Sequence, residues 1–138
     1  MSTETNKALA SRLPLEAYNQ GNVAVFDEVV AENITDHFPP PGFPAGREGY
    51  KMFVPALRAA FPDLQATLDL EIADGEKVVH RVTMHGTHKG DFMGISATGK
   101  SVAWTETHIL RFENGKVVEH WGNADQSGLM MQLMPPQN

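Results

Sequence analysis

The segment 104-WTETHILRFENGKVVEHWGNADQSGLMMQL-133 decides the fold, because it reads as two strands joined by a tight turn and followed by a short helix. Its Asn114-Gly115 pair is the strongest two-residue hairpin signal in the chain. A two-residue turn predicts three facing pairs of polar and aromatic residues: His108 with Trp121, Glu106 with Asn123, and Trp104 with Asp125. A single β-bulge would reverse these later pairings.

Polar residues of this hairpin stand where an otherwise apolar sheet face would carry none. In the predicted register they share one face, which holds Glu106, His108, Trp121, Asn123 and Asp125. A half-apolar face with a few aimed acids, bases and aromatic rings is typical of a small-molecule pocket. We therefore predict a pocket along this hairpin.

Length and composition narrow the class of protein. The 138 residues fit one domain over 1–138, and the absence of cysteine excludes a disulfide scaffold, a thiolate metal site and a cysteine nucleophile. The formal net charge of −6 argues against nucleic acid as a partner. No stretch has the length or apolar character of a signal peptide or a membrane span, so we expect no membrane contact and a cytoplasmic location.

The remaining segments divide into helices first and strands afterwards. Helical spacing of apolar residues predicts helices over 4–20, with a possible interruption at Pro14, and over 23–30, 46–61 and 126–133. Alternation and turn signals predict strands over 34–38, 64–73, 77–88, 101–112 and 116–123. This order predicts an α+β fold, in which helices cover one side of a curved sheet of mostly antiparallel strands.

The hairpin around Asp74-Gly75-Glu76 also has a predicted register. A three-residue loop places apolar residues opposite apolar residues and an acid opposite a base, in the pairs Leu68–Val82, Ile72–Val78, Ala66–Met84, Thr67–Thr83 and Asp69–Arg81. His80 and His88 then share the parity of the apolar face and are candidate pocket residues, whereas His85 lies on the polar face.

Each candidate site residue has a structural interpretation beside its functional one. His108, next to Trp121, is the best candidate for the centre of a site, or else a buried histidine bonded to a backbone carbonyl. Asp125 is a pocket acid or the N-cap of the last helix, and both roles can coexist. Glu106 is a pocket carboxylate or a solvated strand residue, and His37 lies at the pocket mouth or in a plain loop. Trp104 and Trp121 belong to the core or hold a ligand.

Other kinds of site find little support in the sequence. His85 and His88 are three residues apart on a strand and point to opposite faces, which disfavours a shared metal ion. The chain has no Gly-x-Ser-x-Gly elbow, and its glycines match neither a phosphate-binding loop nor a dinucleotide fingerprint.

Three segments resemble the SnoaL-like polyketide cyclases of the nuclear transport factor 2-like superfamily: 46-GREGYKMFVPALRAAFPDL-64, 86-GTHKGDFMGISATGK-100 and 111-RFENGKVVEHWGNADQSGLMMQL-133. The resemblance spans nearly the whole chain. It implies a cone-shaped α+β barrel, in which a strongly bent sheet surrounds an apolar cavity closed by the N-terminal helices. It also implies ring closure of an aromatic polyketide by intramolecular aldol condensation, without metal or cofactor.

The resemblance further implies roles for individual residues. The family histidine matches His108, and the family aspartate matches either Asp125 or the position after the tryptophan, where this chain has Gly122. Asp125 would remove a C–H proton, and His108, or His120 if a bulge turns it inward, would donate to the enolate oxygen. The two tryptophans would hold a planar substrate.

Alternative functions remain open at this point. One is hydration or hydrolysis of the epoxide-hydrolase type, another is a non-catalytic carrier or sensor of small molecules, and a third is an assembly module that uses the outer sheet face for dimerisation. The outward threonines Thr67, Thr83, Thr105 and Thr107 suit a flat, packed outer face, which favours a homodimer or homotetramer with any of these activities.

Overall fold

Ten helical and extended segments follow one another along the chain. The computed structural model describes residues 2–134. The segments are α1 (Thr3–Arg12), a π-helical segment (Leu13–Tyr18), α2 (Ala24–Val29), β1 (Val30–Asp36), α3 (Arg47–Ala60), β2 (Gln65–Asp74), β3 (Lys77–Thr87), β4 (Ser101–Glu113), β5 (Lys116–Ala124) and α4 (Gln126–Leu133). This mixed architecture confirms the predicted α+β fold with a curved sheet under N-terminal helices.

The sheet has five strands in the order β1-β5-β4-β3-β2. Strands β2 to β5 are antiparallel neighbours, and β1 joins the free edge of β5 in parallel. The parallel edge brings the end of β1 next to the middle of β5, where Asp36 pairs with His120. Residues far apart in the sequence therefore meet on the inner face of the sheet.

The β2–β3 hairpin turns over Gly75-Glu76, because Asp74 pairs directly with Lys77. The register shifts between Leu68 and Leu70, so Asp69 is an extra residue in β2. The predicted pairs Leu68–Val82, Ala66–Met84 and Thr67–Thr83 are confirmed. The predicted pairs Ile72–Val78 and Asp69–Arg81 are wrong, because the shorter turn and the bulge pair Ile72 with Val79 and Leu70 with Arg81.

The β4–β5 hairpin has the predicted two-residue turn and a bulge directly after it. Phe112 pairs with Val117, but the next pair joins Arg111 to Glu119, so Val118 is an extra residue in β5. Beyond the bulge every pairing differs by one residue from the register of a plain hairpin. The predicted pairs of His108 with Trp121, Glu106 with Asn123 and Trp104 with Asp125 are therefore wrong.

The N-terminal helix changes form at the proline, where the sequence predicted an interruption. Pro14 has no N–H group and cannot continue an α-helical ladder, and residues 13–18 are wound as a wider π-helix. Leu13, Pro14 and Tyr18 from this segment contribute to the wall of the cavity described below. The widened turn is thus part of the wall of the site.

The core consists of two apolar clusters on the inner face of the sheet. One contains Val25, Phe26 and Phe112, and the other contains Phe61 and Met84. Side chains from both clusters line the cavity. Within residues 2–134, no helix has both the length and the hydropathy needed to cross a membrane.

Candidate active site

A hollow lies between the N-terminal helices and the inner face of the sheet. The centre of a water molecule can occupy about 70 Å³ of this hollow, and the space between the surrounding atoms, which includes open solvent, is about 620 Å³. Its wall is mostly apolar, and its polar members are Tyr18, Tyr50, His80, Glu106, His108 and His120. An apolar hollow with a few convergent polar groups has the make-up of a small-molecule site.

Four side chains at this wall form one hydrogen-bonded string. Oε1 of Glu106 lies 2.8 Å from Nε2 of His108, and Nδ1 of His108 lies 2.8 Å from Nε2 of His120. Nδ1 of His120 lies 2.8 Å from Oδ1 of Asp36. Two carboxylates thus bracket two imidazoles, and every ring nitrogen of the pair has a partner.

The hydrogen bonds of this string have a proton requirement. Each of its three bonds needs one proton, whereas two neutral imidazoles between two ionised carboxylates bring only two. All three bonds therefore form together only when the string holds one further proton. With that proton the string can act as an acid, and without it one of the three bonds is missing.

Further hydrogen bonds hold both ends of the string. Trp104 donates from Nε1 to Oε2 of Glu106 at 2.7 Å, and Tyr50 donates its hydroxyl to Oδ2 of Asp36. Burial on its own raises the pKa of Asp36, but the hydrogen bonds from His120 and Tyr50 outweigh burial, so this pKa lies below its usual range. Burial also raises the pKa of the Tyr50 hydroxyl, which stays protonated.

The local fold explains why these four residues meet. Alternation along β4 turns Glu106 and His108 to the same inner face. The bulge at Val118 shifts the alternation along β5 by one residue, so that His120 points inward, where it pairs with the inward-facing Leu110. The parallel edge then places Asp36 beside His120, and the backbone N–H of His37 donates to the carbonyl of His120 at 2.9 Å.

Gly122 leaves room for the bond between the two imidazoles. A Cβ atom at this position would lie 2.9 Å from Nδ1 of His108, 3.1 Å from Nε2 of His120 and 2.7 Å from Cδ2 of Phe38. These distances are shorter than ordinary carbon contacts, which are about 3.5–4.0 Å. A side chain at 122 would therefore point at the middle of the string.

A second imidazole–carboxylate pair faces the same hollow from the neighbouring strands. His80 on β3 is buried, and its Nε2 lies 2.7 Å from Oε2 of Glu71 on β2. Burial lowers the pKa of His80 below its usual value, and the hydrogen bond to Glu71 offsets only part of that shift. Among the described residues, none hydrogen-bonds to Nδ1 of His80.

The structure thus brings four of the predicted site residues together at the hollow, namely Glu106, His108, His120 and His80. Trp104 stands behind them. It is buried against Phe61, with 5.3 Å between ring centroids, and reaches the site only through its bond to Glu106.

Five other predicted residues lie away from the hollow, so their predicted placement in the pocket is wrong, whereas the alternative prediction of Asp125 as the N-cap of the last helix is confirmed. Asp125 follows the end of β5, is exposed, and accepts a hydrogen bond from the backbone N–H of Gly128 at 2.9 Å as the N-cap of α4. Trp121 and Asn123 lie on the other side of β5 because of the bulge. His37 stacks on Trp121 there, 5.2 Å between ring centroids, and bonds to Glu119.

His88 is the fifth of these residues. It is fully buried against Phe61, and its Nδ1 accepts a hydrogen bond from the backbone N–H of Thr98 at 3.2 Å. His88 was correctly predicted to lie on the apolar face of the sheet, but the cavity does not extend as far as this residue.

Sequence reasoning missed Asp36, Tyr50 and Glu71. Asp36 and Tyr50 belong to segments read only as a short strand and a helix, and nothing in their spacing reveals that β1 joins the edge of β5. Glu71 becomes inward-facing only through the bulge at Asp69. Among residues 2–134, no three His, Asp or Glu side chains converge on a point from which they would ligate one metal ion.

The fold and the site define a cone-shaped α+β barrel with acid–base groups inside an apolar hollow. A family model of the SnoaL-like polyketide cyclases matches residues 8–133. The chain therefore belongs to the SnoaL-like polyketide cyclase family, as its sequence segments predicted.

Individual relatives agree with this assignment. The chain is 29% identical over 143 residues to the aklanonic acid methyl ester cyclase DnrD of Streptomyces peucetius, a match that covers 99% of this chain and 94% of the relative. It is 31% identical over 134 residues to the aklanonic acid methyl ester cyclase DauD of Streptomyces sp. (strain C5), covering 91% and 80%. The solved structure of TsrD from Streptomyces laurentii superposes with a TM-score of 0.86 at 28% identity, covering 96% and 97%.

Proposed function

We propose that this protein is a cyclase that closes a ring of a polyketide ester by intramolecular aldol condensation, with side chains as its acid and base. The observation that carries the proposal is the hydrogen-bonded string of Glu106, His108, His120 and Asp36 at the wall of an apolar hollow. A site that gives and takes protons is what ring closure of this kind requires.

The reaction balances without an added reagent. A base removes a proton from a carbon flanked by two carbonyl groups, and the resulting carbanion attacks a second carbonyl carbon in the same molecule. One C–H bond breaks and one C–C bond forms, while the attacked carbonyl oxygen takes a proton and becomes a hydroxyl. The product is an isomer of the substrate, so the step needs neither an electron acceptor nor a leaving group.

The string supplies the proton and stabilises charge on oxygen. A substrate oxygen that replaces one partner of this proton receives a charge-assisted hydrogen bond, which is stronger than a neutral one. The apolar wall strengthens this interaction because it excludes water. One positioned acid or base contributes roughly 10²–10⁴-fold, and alignment of the two reacting carbons within the hollow must supply much of the rest.

The relatives' names and the lining of the hollow point to the substrate class. DnrD and DauD are named for aklanonic acid methyl ester. The wall of the hollow is mostly apolar, which suits a substrate with a large apolar surface. We therefore propose a polyketide ester as the substrate.

The test replaces one imidazole of the string at a time. With aklanonic acid methyl ester as substrate, we expect His108→Gln and His120→Gln each to lower kcat/KM by about 10²–10⁴-fold, because glutamine interrupts the string and cannot transfer a proton at this position. His37→Gln is the matched control, since His37 also bonds a carboxylate but lies outside the hollow. Asp125→Asn is expected to leave turnover unchanged.

Two results would contradict the proposal. Full activity in both His108→Gln and His120→Gln would remove the string from the chemistry. If the wild-type protein binds the ester and returns it unchanged, the carrier function is the correct one.

A further inference from the structure

His80 differs from the other two imidazoles at the hollow, because one of its ring nitrogens has no hydrogen-bond partner among the described residues. In His108 and His120 both ring nitrogens are engaged within the string. In His80 only Nε2 is engaged, by Glu71 at 2.7 Å, and the part of the chain described here offers no partner to Nδ1. Nδ1 of His80 is not fully buried, so it borders open space.

The carboxylate partner fixes the proton on His80. An ionised Glu71 accepts a hydrogen bond, so the ring carries its proton on Nε2 and presents a lone pair at Nδ1. Glu71 reaches this position because the bulge at Asp69 places it opposite His80 in the sheet. The pair is thus arranged as a base, whereas the string can act as an acid when it holds the third proton that its three hydrogen bonds require.

The acid and the base lie side by side. His80 and His108 are direct partners in the register of β3 and β4 on the same face of the sheet. Strands in a sheet are about 4.8 Å apart, so one small dicarbonyl unit can touch both.

We propose that His80, positioned by Glu71, is the general base that removes the C–H proton, and that the string of Glu106, His108, His120 and Asp36 donates the proton that the new hydroxyl receives. This inference rests on the proposed cyclase function and divides its two proton transfers between two centres. After ring closure His80 holds the proton taken from carbon and the string is short of one. Exchange with water through the open mouth resets both.

The titration of His80 agrees with this role. Its pKa lies below the usual value because burial outweighs the hydrogen bond to Glu71, so the imidazole is neutral and able to accept a proton near pH 7. The other titratable groups at the hollow are Glu106 and His108 from β4, His120 from β5, Tyr50 from α3 and Tyr18 from the π-helical segment. The proximity of His108 lowers this pKa further, because two positive imidazoles repel each other.

A substrate analogue that cannot cyclise separates the two transfers. Ethyl benzoylacetate has a C–H group between two carbonyls and no further carbonyl to attack. Its hydrogen–deuterium exchange in D₂O, followed by NMR, therefore reports the base alone. We expect the wild-type protein to accelerate this exchange and His80→Gln to lose about 10²–10⁴-fold of the acceleration. We expect His120→Gln to keep exchange while losing cyclisation of aklanonic acid methyl ester.

The control for this variant is His85→Gln, because His85 is an exposed histidine of the same strand. This inference would be overturned if His80→Gln kept full exchange and full cyclisation. If His108→Gln and His120→Gln were inactive in the same cyclisation assay, the proposed function would still stand. A wild-type protein that neither exchanges nor cyclises would overturn both.

The positioning role of Glu71 has its own signature. The hydrogen bond to Glu71 raises the pKa of His80, so its loss in Glu71→Gln lowers that pKa. The acid limb of the pH–rate profile should then move to lower pH, while Glu76→Gln in the turn of the same hairpin leaves the limb in place. A loss of rate at every pH without movement of the limb would show that Glu71 is only structural.

Discussion

Gly122 shows how much a single residue decides in this site. A Cβ atom at this position would lie 2.9 Å from Nδ1 of His108 and 3.1 Å from Nε2 of His120, so a side chain here would push the two rings apart. The resemblance to the SnoaL-like cyclases permits an aspartate at this position, and here two imidazoles meet directly instead. The carboxylates of this site therefore sit at the two ends of the string, at Glu106 and Asp36.

A minimal substitution tests this interpretation. We expect Gly122→Ala to lower the free energy of unfolding by about 1–3 kcal/mol, since the added methyl group overpacks against Phe38 and both rings. Cyclisation should fall with it, because the His108–His120 bond lengthens. Urea denaturation and turnover of aklanonic acid methyl ester measure the two effects.

Asn123→Ala is the control, because Asn123 is the exposed neighbour on the same strand. Unchanged stability together with unchanged turnover in Gly122→Ala would show that the two rings do not need to touch.

At the scale of elements, the two hairpins set which side chains enter the hollow. Each contains one extra residue, Asp69 in β2 and Val118 in β5. Beyond the first, Glu71 faces inward opposite His80, and beyond the second, His120 faces inward. Both acid–base centres thus depend on a strand that is one residue longer than a regular ladder requires.

The bulge makes an unusual prediction about chain length. Deleting Val118 should leave a regular ladder in which Arg111 still pairs with Glu119 and Leu110 with His120, so the string and cyclisation are retained. Inserting one alanine between Glu119 and His120 should turn His120 outward and lower turnover by about 10²–10⁴-fold. Turnover of aklanonic acid methyl ester, together with the NMR signals of the histidine rings, reads out both variants. Loss of the string in the deletion with its retention in the insertion would refute this register.

The limits of sequence reasoning lie at the same two bulges. Helical spacing of apolar residues predicted the helices and their alternation predicted the strands, because burial of one face imposes each pattern. The inward direction of Glu106 and His108 followed from β4 alone. Nothing marks Val118 or Asp69 as unpaired, so the residues after them were placed on the wrong face. Asp36 and Tyr50 come from distant segments, and only the parallel pairing of β1 with β5 brings Asp36 to the string.

The whole molecule folds around an interior that is rich in ionisable groups. Three imidazoles and Glu106 line the hollow, with Asp36 behind them, between the helices and the sheet. On the outer face, Ile72, Val79, Ile109 and Trp121 form one row across four strands. A row of this kind suits the homodimer or homotetramer that the sequence led us to expect, which stays a prediction.

Such an interior makes stability depend on pH. The pKa of folded His80 is below the value of about 6.5 for an unfolded histidine. The stability from neutral His80 is therefore fully present above pH 6.5 and is lost as the pH falls toward the folded pKa, because the unfolded chain binds the proton more readily. We expect the free energy of unfolding to fall between pH 7.5 and pH 5, as measured by urea titration at each pH, and to fall less steeply in His80→Gln.

His85→Gln, on the exposed side of the same strand, should keep the wild-type slope of the free energy of unfolding against pH. Equal slopes in all three proteins would contradict the assignment of this effect to His80.

Asp36 affects stability at lower pH. Its folded pKa lies below the unfolded value of about 3.9, so its contribution is present above that pH and disappears as the pH falls through the folded pKa.

The extra residue at Val118 also bears on how homologues are compared. Consider this protein and a homologue that differs only by lacking Val118. Both place the same imidazole at the same point in space, but an alignment without a gap would match His120 of this protein to the outward-facing residue that follows the histidine in the homologue. Equivalent side chains on this strand are therefore identified by superposed coordinates, because an alignment without a gap can hide a histidine that the second protein still has.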